Sequence, residues 1–274
     1  GEFATRALLD PAAYKAKKDA GEIKFRIQDQ PRVLWNEMVE PWTPFAIRGF
    51  IWYQGCSNAG DGHAYAPKMQ ALYNGWAKEF KNPGLKLYFV QLAPWGYADI
   101  AKIQEGQAIF AAAEKNAGMA VINDRGNLSD IHPNDKETVG QRLALLALKR
   151  DYGFAIPEDD SPVLKSASFA DGKATLAFDN VKDWYVYAPD RSRKPAFELA
   201  GADGKWQEAK VLNYRKQKGK DGKESDTDYI DGAEIVLSSE GVPEPVKARY
   251  MGKSRTTGTL YNEASLPLGP FETK

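Results

Sequence analysis

The chain has 274 residues, and its 37 Lys and Arg are balanced by 37 Asp and Glu. That length supports one large or two modest domains with a sizeable core, and the neutral balance argues against a nucleic-acid binder, which needs a basic stripe. Apolar residues make up 43% and charged residues 27%, as in a globular chain, and no apolar run is long enough to span a bilayer. The single cysteine, Cys56, excludes an internal disulfide and a cysteine metal cluster.

Residues 1–30 form a polar, Lys-rich segment with weak helical periodicity over Ala12 to Lys18. From residue 31 to 155, strand and helix patterns alternate. Ile47 to Tyr53 is a β-branched and aromatic run that ends in the loop Gln54 to Gly62. Tyr65, Met69, Leu72, Tyr73, Trp76 and Phe80 keep helical spacing. Leu85 to Leu92 predicts a strand. Ile100 to Lys115 predicts a helix with Ile103, Gln107, Phe110 and Glu114 on one face, and Met119 to Asn123 predicts the third strand. The last helix spans Asn134 to Arg150, with Asn134 as its cap, Glu137 three residues on, and a buried stripe of Val139, Leu143 and Leu146.

Such alternation predicts an α/β domain, a parallel sheet covered by helices on both faces. All strand carboxyl ends then share one rim, where open α/β sheets bind ligands. The loop Gln54 to Asp61, the stretch after Leu92 and the segment Asp124 to Pro133 meet there. Residues 160–274 follow a different grammar. Short strands at Lys173 to Phe178, Trp184 to Tyr187, Phe197 to Leu199, Lys210 to Tyr214, Ala233 to Leu237 and Lys247 to Tyr250 are punctuated by Asp-Gly turns at 171, 203, 221 and 231. They predict a separate all-β sandwich.

The rim segment Ser129-Asp130-Ile131-His132-Pro133 holds one of two histidines. Pro133 biases His132 towards an extended backbone. A carboxylate that fixes one ring nitrogen leaves the other to act as a general base; Asp130, Asp124 and Asp135 are the candidates. Gln54, Ser57 and Asn58 place polar groups at a strand end, where a nascent oxyanion needs preorganised donors. Ser57, in an imperfect nucleophile elbow, and Cys56, more in keeping with a buried inert thiol, are the available nucleophiles. The His and carboxylate spacing fits no zinc site, and there is no glycine-rich phosphate loop.

Several blocks resemble the sialate O-acetylesterase family of the SGNH-hydrolase superfamily. They are Val33 to Val39, Gly49-Phe50-Ile51-Trp52-Tyr53-Gln54-Gly55-Cys56-Ser57-Asn58-Ala59, Tyr88 to Ala93, Asp130-Ile131-His132-Pro133-Asn134-Asp135-Lys136, Val139 to Ala144, Arg249-Tyr250 and Leu260-Tyr261-Asn262-Glu263. The resemblance implies a serine esterase, free of cofactor and metal, that removes O-acetyl groups from sialic acids or related carbohydrate esters through an acyl-enzyme. It assigns His132 as the base, Asp130 as its acidic neighbour and Gln54 as an oxyanion donor, and it implies a periplasmic or secreted setting. Members carry a Gly-x-Ser-Asn-type nucleophile block before the Trp-Tyr-Gln-Gly block, and Gly1 to Arg48 holds nothing like it. The expectation is therefore a partial SGNH-type three-layer α/β/α sheet with a bare edge, in a C-terminal fragment, a proteolysed product or one chain of a split enzyme. An N-terminal portion or partner chain would supply the serine. The alternatives are a degenerate, non-catalytic carbohydrate-binding protein and a self-sufficient hydrolase using Ser57 or Cys56.

Overall fold

Where apolar runs alternate with amphipathic stretches, the chain builds a parallel sheet, and where Asp-Gly turns recur, it builds antiparallel ones. The computed structural model describes residues 11–22, 32–96, 100–187, 195–218, 225, 227–252 and 257–274. Two units emerge, residues 1–48 with 74–85 and residues 49–73 with 86–274.

In the first unit, α1 (Pro11–Asp19) ends on Lys17 and Lys18, cations that complement the helix dipole. The short α2 (Val33–Met38) sets Trp35 edge-on to Trp76, with ring centroids 5.9 Å apart.

The second unit begins with β1 (Gly49–Trp52), which runs through a 3-10 segment (Cys56–Ala64) into α3 (Tyr65–Glu79), whose residues from 74 on are counted with the first unit. Then come β2 (Lys86–Val90), α4 (Ala101–Ala113), β3 (Ala117–Ala120) and α5 (Lys136–Arg150). The strands pair in parallel in the order β1-β2-β3, with Gly49 opposite Lys86 and Leu87 opposite Ala117. β2, the central strand, is apolar from Leu87 to Val90 because both its faces are covered. Tyr88 and Val90 pack with Val139, Leu143 and Leu146 of α5. Phe89 faces α4, with its ring 5.5 Å from Phe110. The outer edge of β1 meets no strand among the described residues, and Ile51 on it is 70% exposed.

The rest of this unit is all β. Its strands are β4 (Val163–Ala170), β5 (Lys173–Asp179), β6 (Trp184–Tyr187), β7 (Phe197–Ala200), β8 (Trp206–Glu208), β9 (Lys210–Val211), β10 (Tyr214–Arg215), β11 (Thr227–Ile230), β12 (Glu234–Ser238), β13 (Lys247–Tyr250), β14 (Leu260–Tyr261) and β15 (Phe271–Glu272). They form three four-stranded sheets, β4-β5-β12-β9, β10-β11-β6-β14 and β15-β13-β7-β8. One core joins them, with Phe178, Trp184, Phe197, Leu237, Tyr250 and Leu260 all buried. The β4–β5 turn uses Asp171 and Gly172 at φ 50° and 72°, the left-handed pair that a tight hairpin requires. Asn123, just past β3, donates to the Leu268 carbonyl at 2.6 Å and its own carbonyl accepts from Gly258, so the β region grips the end of the parallel sheet.

Four details depart from the sequence expectations. The third strand is Ala117–Ala120 rather than Met119 to Asn123, because the pairing register of β2 starts it opposite Leu87. The helix cap is Asp135, whose carboxylate accepts from the Thr138 amide and hydroxyl, while Asn134 lies exposed before it. The expected strand Lys210 to Tyr214 is split into β9 and β10, which join different sheets. Five strands, β4, β8, β11, β14 and β15, carry no alternation strong enough to announce them; β4 is mostly exposed. The Asp221-Gly222 turn lies outside the described residues.

Candidate active site

Parallel pairing sends all three strands out on one rim, and the loops after them are braced there by specific contacts. After β1, Gly55 takes φ 144°, and a Cβ at that position would stand 3.1 Å from Leu92. The following 3-10 segment lies against α4 so closely that a Cβ on Gly106 would come within 2.7 Å of the Gly62 carbonyl. After β2, the departing backbone is satisfied by glutamines of α4. Gln107 accepts from the Leu92 amide at 2.9 Å, and Gln104 donates to the Leu92 carbonyl at 2.6 Å. After β3, the Gly96 amide donates to the Leu128 carbonyl, tying the second loop to the third.

Beneath the third loop sits a buried ion pair. Arg142 reaches Asp124 with both terminal nitrogens, at 2.6 and 2.8 Å, and also donates to the Val121 carbonyl at 2.7 Å. The side chains are 6% and 1% exposed. A bidentate guanidinium satisfies a desolvated carboxylate in this way. Asp124 is thereby committed to Arg142 and Asp135 to the α5 cap, so of the three candidate partners Asp130 is the one at the His132 ring.

Asp130 Oδ1 accepts from the His132 backbone amide at 2.9 Å and lies 3.2 Å from Nδ1 of the ring. These contacts, the backbone one foremost, hold the Asp130 carboxyl below the usual carboxylate range. With the proton on Nδ1, Nε2 keeps its lone pair. The His132 side chain is 84% exposed, open to the rim and not packed inward.

On the first loop, Gln54 and Asn58 form one chain of contacts. Gln54 Nε2 donates to Asn58 Oδ1 at 2.8 Å, Asn58 donates to Asp61 at 2.7 Å, and Lys68 also binds Asp61. Tyr65 donates to the Gln54 side-chain oxygen at 2.7 Å and so fixes which end of the amide is the donor. Tyr65 reads in the sequence as a core residue of a helix; its clamp on Gln54 becomes visible only when the helix start meets the loop. Ser57 lies exposed in the same turn.

The first and third loops meet. Tyr53, Cys56 and Ile131 line one small cleft with Leu92, Trp95 and Ile100. Lys136, the first residue of α5, sits 4.9 Å above the Tyr53 ring. Cys56 is exposed, against the expectation of a buried thiol, since it projects from the turn and not from the strand. Partial burial pushes its thiol up while the charge of Lys136 pulls it down. Burial, then Cys56, raises the Tyr53 hydroxyl to about 12. The second histidine, His63, contacts Glu105 at 2.6 Å. Glu158, Asp159 and Asp160 are close enough to share a cation, but Lys149 and Arg150 already bind Asp159.

Known proteins resemble parts of this chain. Residues 24–149 match the family described as carbohydrate esterase, sialic acid-specific acetylesterase. The sialate O-acetylesterase of Rattus norvegicus is 33% identical over 143 residues, 44% of this chain and 26% of that protein. That of Mus musculus is 32% identical over 175 residues, 53% of this chain and 32% of that protein. The chain thus spans about a third or less of these curated relatives. The crystal structure of a carbohydrate acetylesterase from Xanthomonas citri superposes with a TM-score of 0.76 at 34% identity, covering 90% of this chain and 55% of that one. Over residues 24–149 the chain is thus similar to the sialic acid-specific acetylesterases among carbohydrate esterases, and its fold is similar to that of a carbohydrate acetylesterase.

Proposed function

We propose that this chain supplies the base-bearing part of a carbohydrate O-acetylesterase, acting on O-acetylated sialic acids or related sugar esters in a periplasmic or secreted setting. The observation that carries the reading is the Asp130–His132 pair, exposed on the same rim as the anchored Gln54 amide. In this reading a serine hydroxyl from polypeptide outside this sequence attacks the acetyl carbonyl. His132 Nε2 takes its proton, and Asp130 stabilises the imidazolium. The second N–H of Gln54 Nε2 faces the oxyanion, with Ser57 and Asn58 shaping the rim. The imidazolium then protonates the departing sugar oxygen, and water releases acetate from the acyl-serine by the reverse sequence. The open edge of β1 supports the idea that the sheet extends beyond this chain.

The test mixes this chain with the N-terminal portion of a relative carrying the Gly-x-Ser-Asn block and measures acetate released from an O-acetylated sialic acid. The expected result is hydrolysis that His132→Ala abolishes and Asp130→Asn lowers. Robust turnover by the His132→Ala protein refutes the base assignment. Turnover by this chain alone, lost on changing Ser57 or Cys56, favours a self-sufficient hydrolase instead.

A further inference from the structure

The small cleft on the rim lies between the two groups that the proposed reaction uses. Of its lining residues, Tyr53 precedes Gln54 in the chain and Ile131 precedes His132. Cys56 closes it from the turn that carries Ser57, and Leu92 and Trp95 close it from the loop after β2. None of the described side chains that line it is charged at neutral pH. Its volume is about 10 Å³, room for one group the size of a water or a methyl.

The walls of the cleft are fastened. Both backbone groups of Leu92 are bonded to α4, the carbonyl to Gln104 at 2.6 Å and the amide to Gln107 at 2.9 Å. The Gly96 amide donates to the Leu128 carbonyl at 3.0 Å. A Cβ on Gly126 would come within 2.6 Å of the Pro94 carbonyl, so the second and third loops touch. Lys136 covers the Tyr53 ring at 4.9 Å. A chain one methylene longer than the cleft therefore meets strain and not space.

We propose that this cleft is the acyl subsite of the esterase, taking the methyl of an acetyl ester and rejecting longer acyl chains, with Ile131 setting the limit. The proposal rests on the reading above. An ester carbonyl carbon carries three substituents. In that reading its oxygen turns to the Gln54 amide and its alkoxy oxygen to His132 Nε2. The acyl chain is the one left to place, and the cleft lies between the neighbours of those two residues. His132 is exposed, which leaves the bulky sugar alcohol on the open rim.

Two measurements test this. In the first, the chain is mixed with the N-terminal portion of a relative, as above, and turnover of 4-nitrophenyl acetate, propionate and butyrate is compared. Acetyl should be favoured over propionyl by about 10–200-fold, the effect of one methylene in a fitted apolar pocket. Ile131→Ala should raise butyryl turnover about tenfold, a gain that a merely disturbed loop does not give. Equal turnover of the three esters, or no such gain, overturns the proposal while the base assignment stands. The second measurement needs neither nucleophile nor variant. The unaltered chain alone is titrated with acetate and with n-butyrate, and backbone amide shifts are followed by NMR. Acetate should shift Cys56, Leu92 and Ile131, and butyrate at the same concentration should not. Shifts elsewhere, none with acetate, or equal shifts with both acids overturn the cleft. Acetate bound there without hydrolysis in the mixture supports the cleft and counts against the base reading.

Discussion

Replacing Arg142 with Met tests whether the buried ion pair holds the loop that presents Asp130 and His132. The change removes two charge-assisted bonds to Asp124 and one to the Val121 carbonyl, and leaves a carboxylate that is 1% exposed. Breaking a buried pair from one side costs about 3–5 kcal/mol, since the remaining charge stays desolvated. Arg125 still contacts Asp124 at 3.0 Å, which places the expected loss near the lower end, about 3 kcal/mol. Removing both charges with Arg142→Met and Asp124→Leu together should recover most of that loss, because no unpaired ion remains. Urea unfolding followed by tryptophan fluorescence reads each variant as a shift in midpoint at constant slope. A loss below about 1 kcal/mol in the single variant, or a double variant as unstable as the two singles added, refutes the reasoning.

Three other outcomes follow from named contacts. Gly106→Ala drives a Cβ to 2.7 Å from the Gly62 carbonyl, so it should destabilise by about 1–3 kcal/mol in the same urea assay and displace the Gln54 loop. Lys136→Ala removes the charge that lowers the Cys56 thiol; iodoacetamide should then alkylate Cys56 more slowly at fixed pH, and its rate profile should move to higher pH. The amide and hydroxyl of Thr138 depress the Asp135 carboxyl, which raises stability above the unfolded carboxylate value and loses that contribution as pH falls through the folded one. The stability difference between the native protein and Asp135→Ala should therefore shrink between about pH 6 and about pH 2, read from urea midpoints at each pH.

Much of this was legible in the sequence for local reasons. The periods of Val139, Leu143 and Leu146 and the apolar run of β2 mark elements whose faces must be buried whatever they pack against. Asp171-Gly172 and Asp203-Gly204 marked the β4–β5 and β7–β8 hairpins because the backbone angles of such turns are intrinsic to those residues, whereas Asp231-Gly232 joins strands of two different sheets. Asp-x-His is short enough that two residues of chain bring carboxylate and ring together without help from the fold. The sequence could not choose between Asp124, Asp130 and Asp135, since that choice depends on where Arg142 and the α5 amides arrive. Nor could it show that Tyr65 would orient the Gln54 amide, or that Cys56 would stand exposed. Periodicity and turn chemistry act over a few residues, and so the sequence by itself determined the long helices, the central strand of the parallel sheet and the Asp130–His132 neighbourhood. Which distant side chain satisfies which buried charge or amide is settled by long-range packing, and that only the tertiary structure decided.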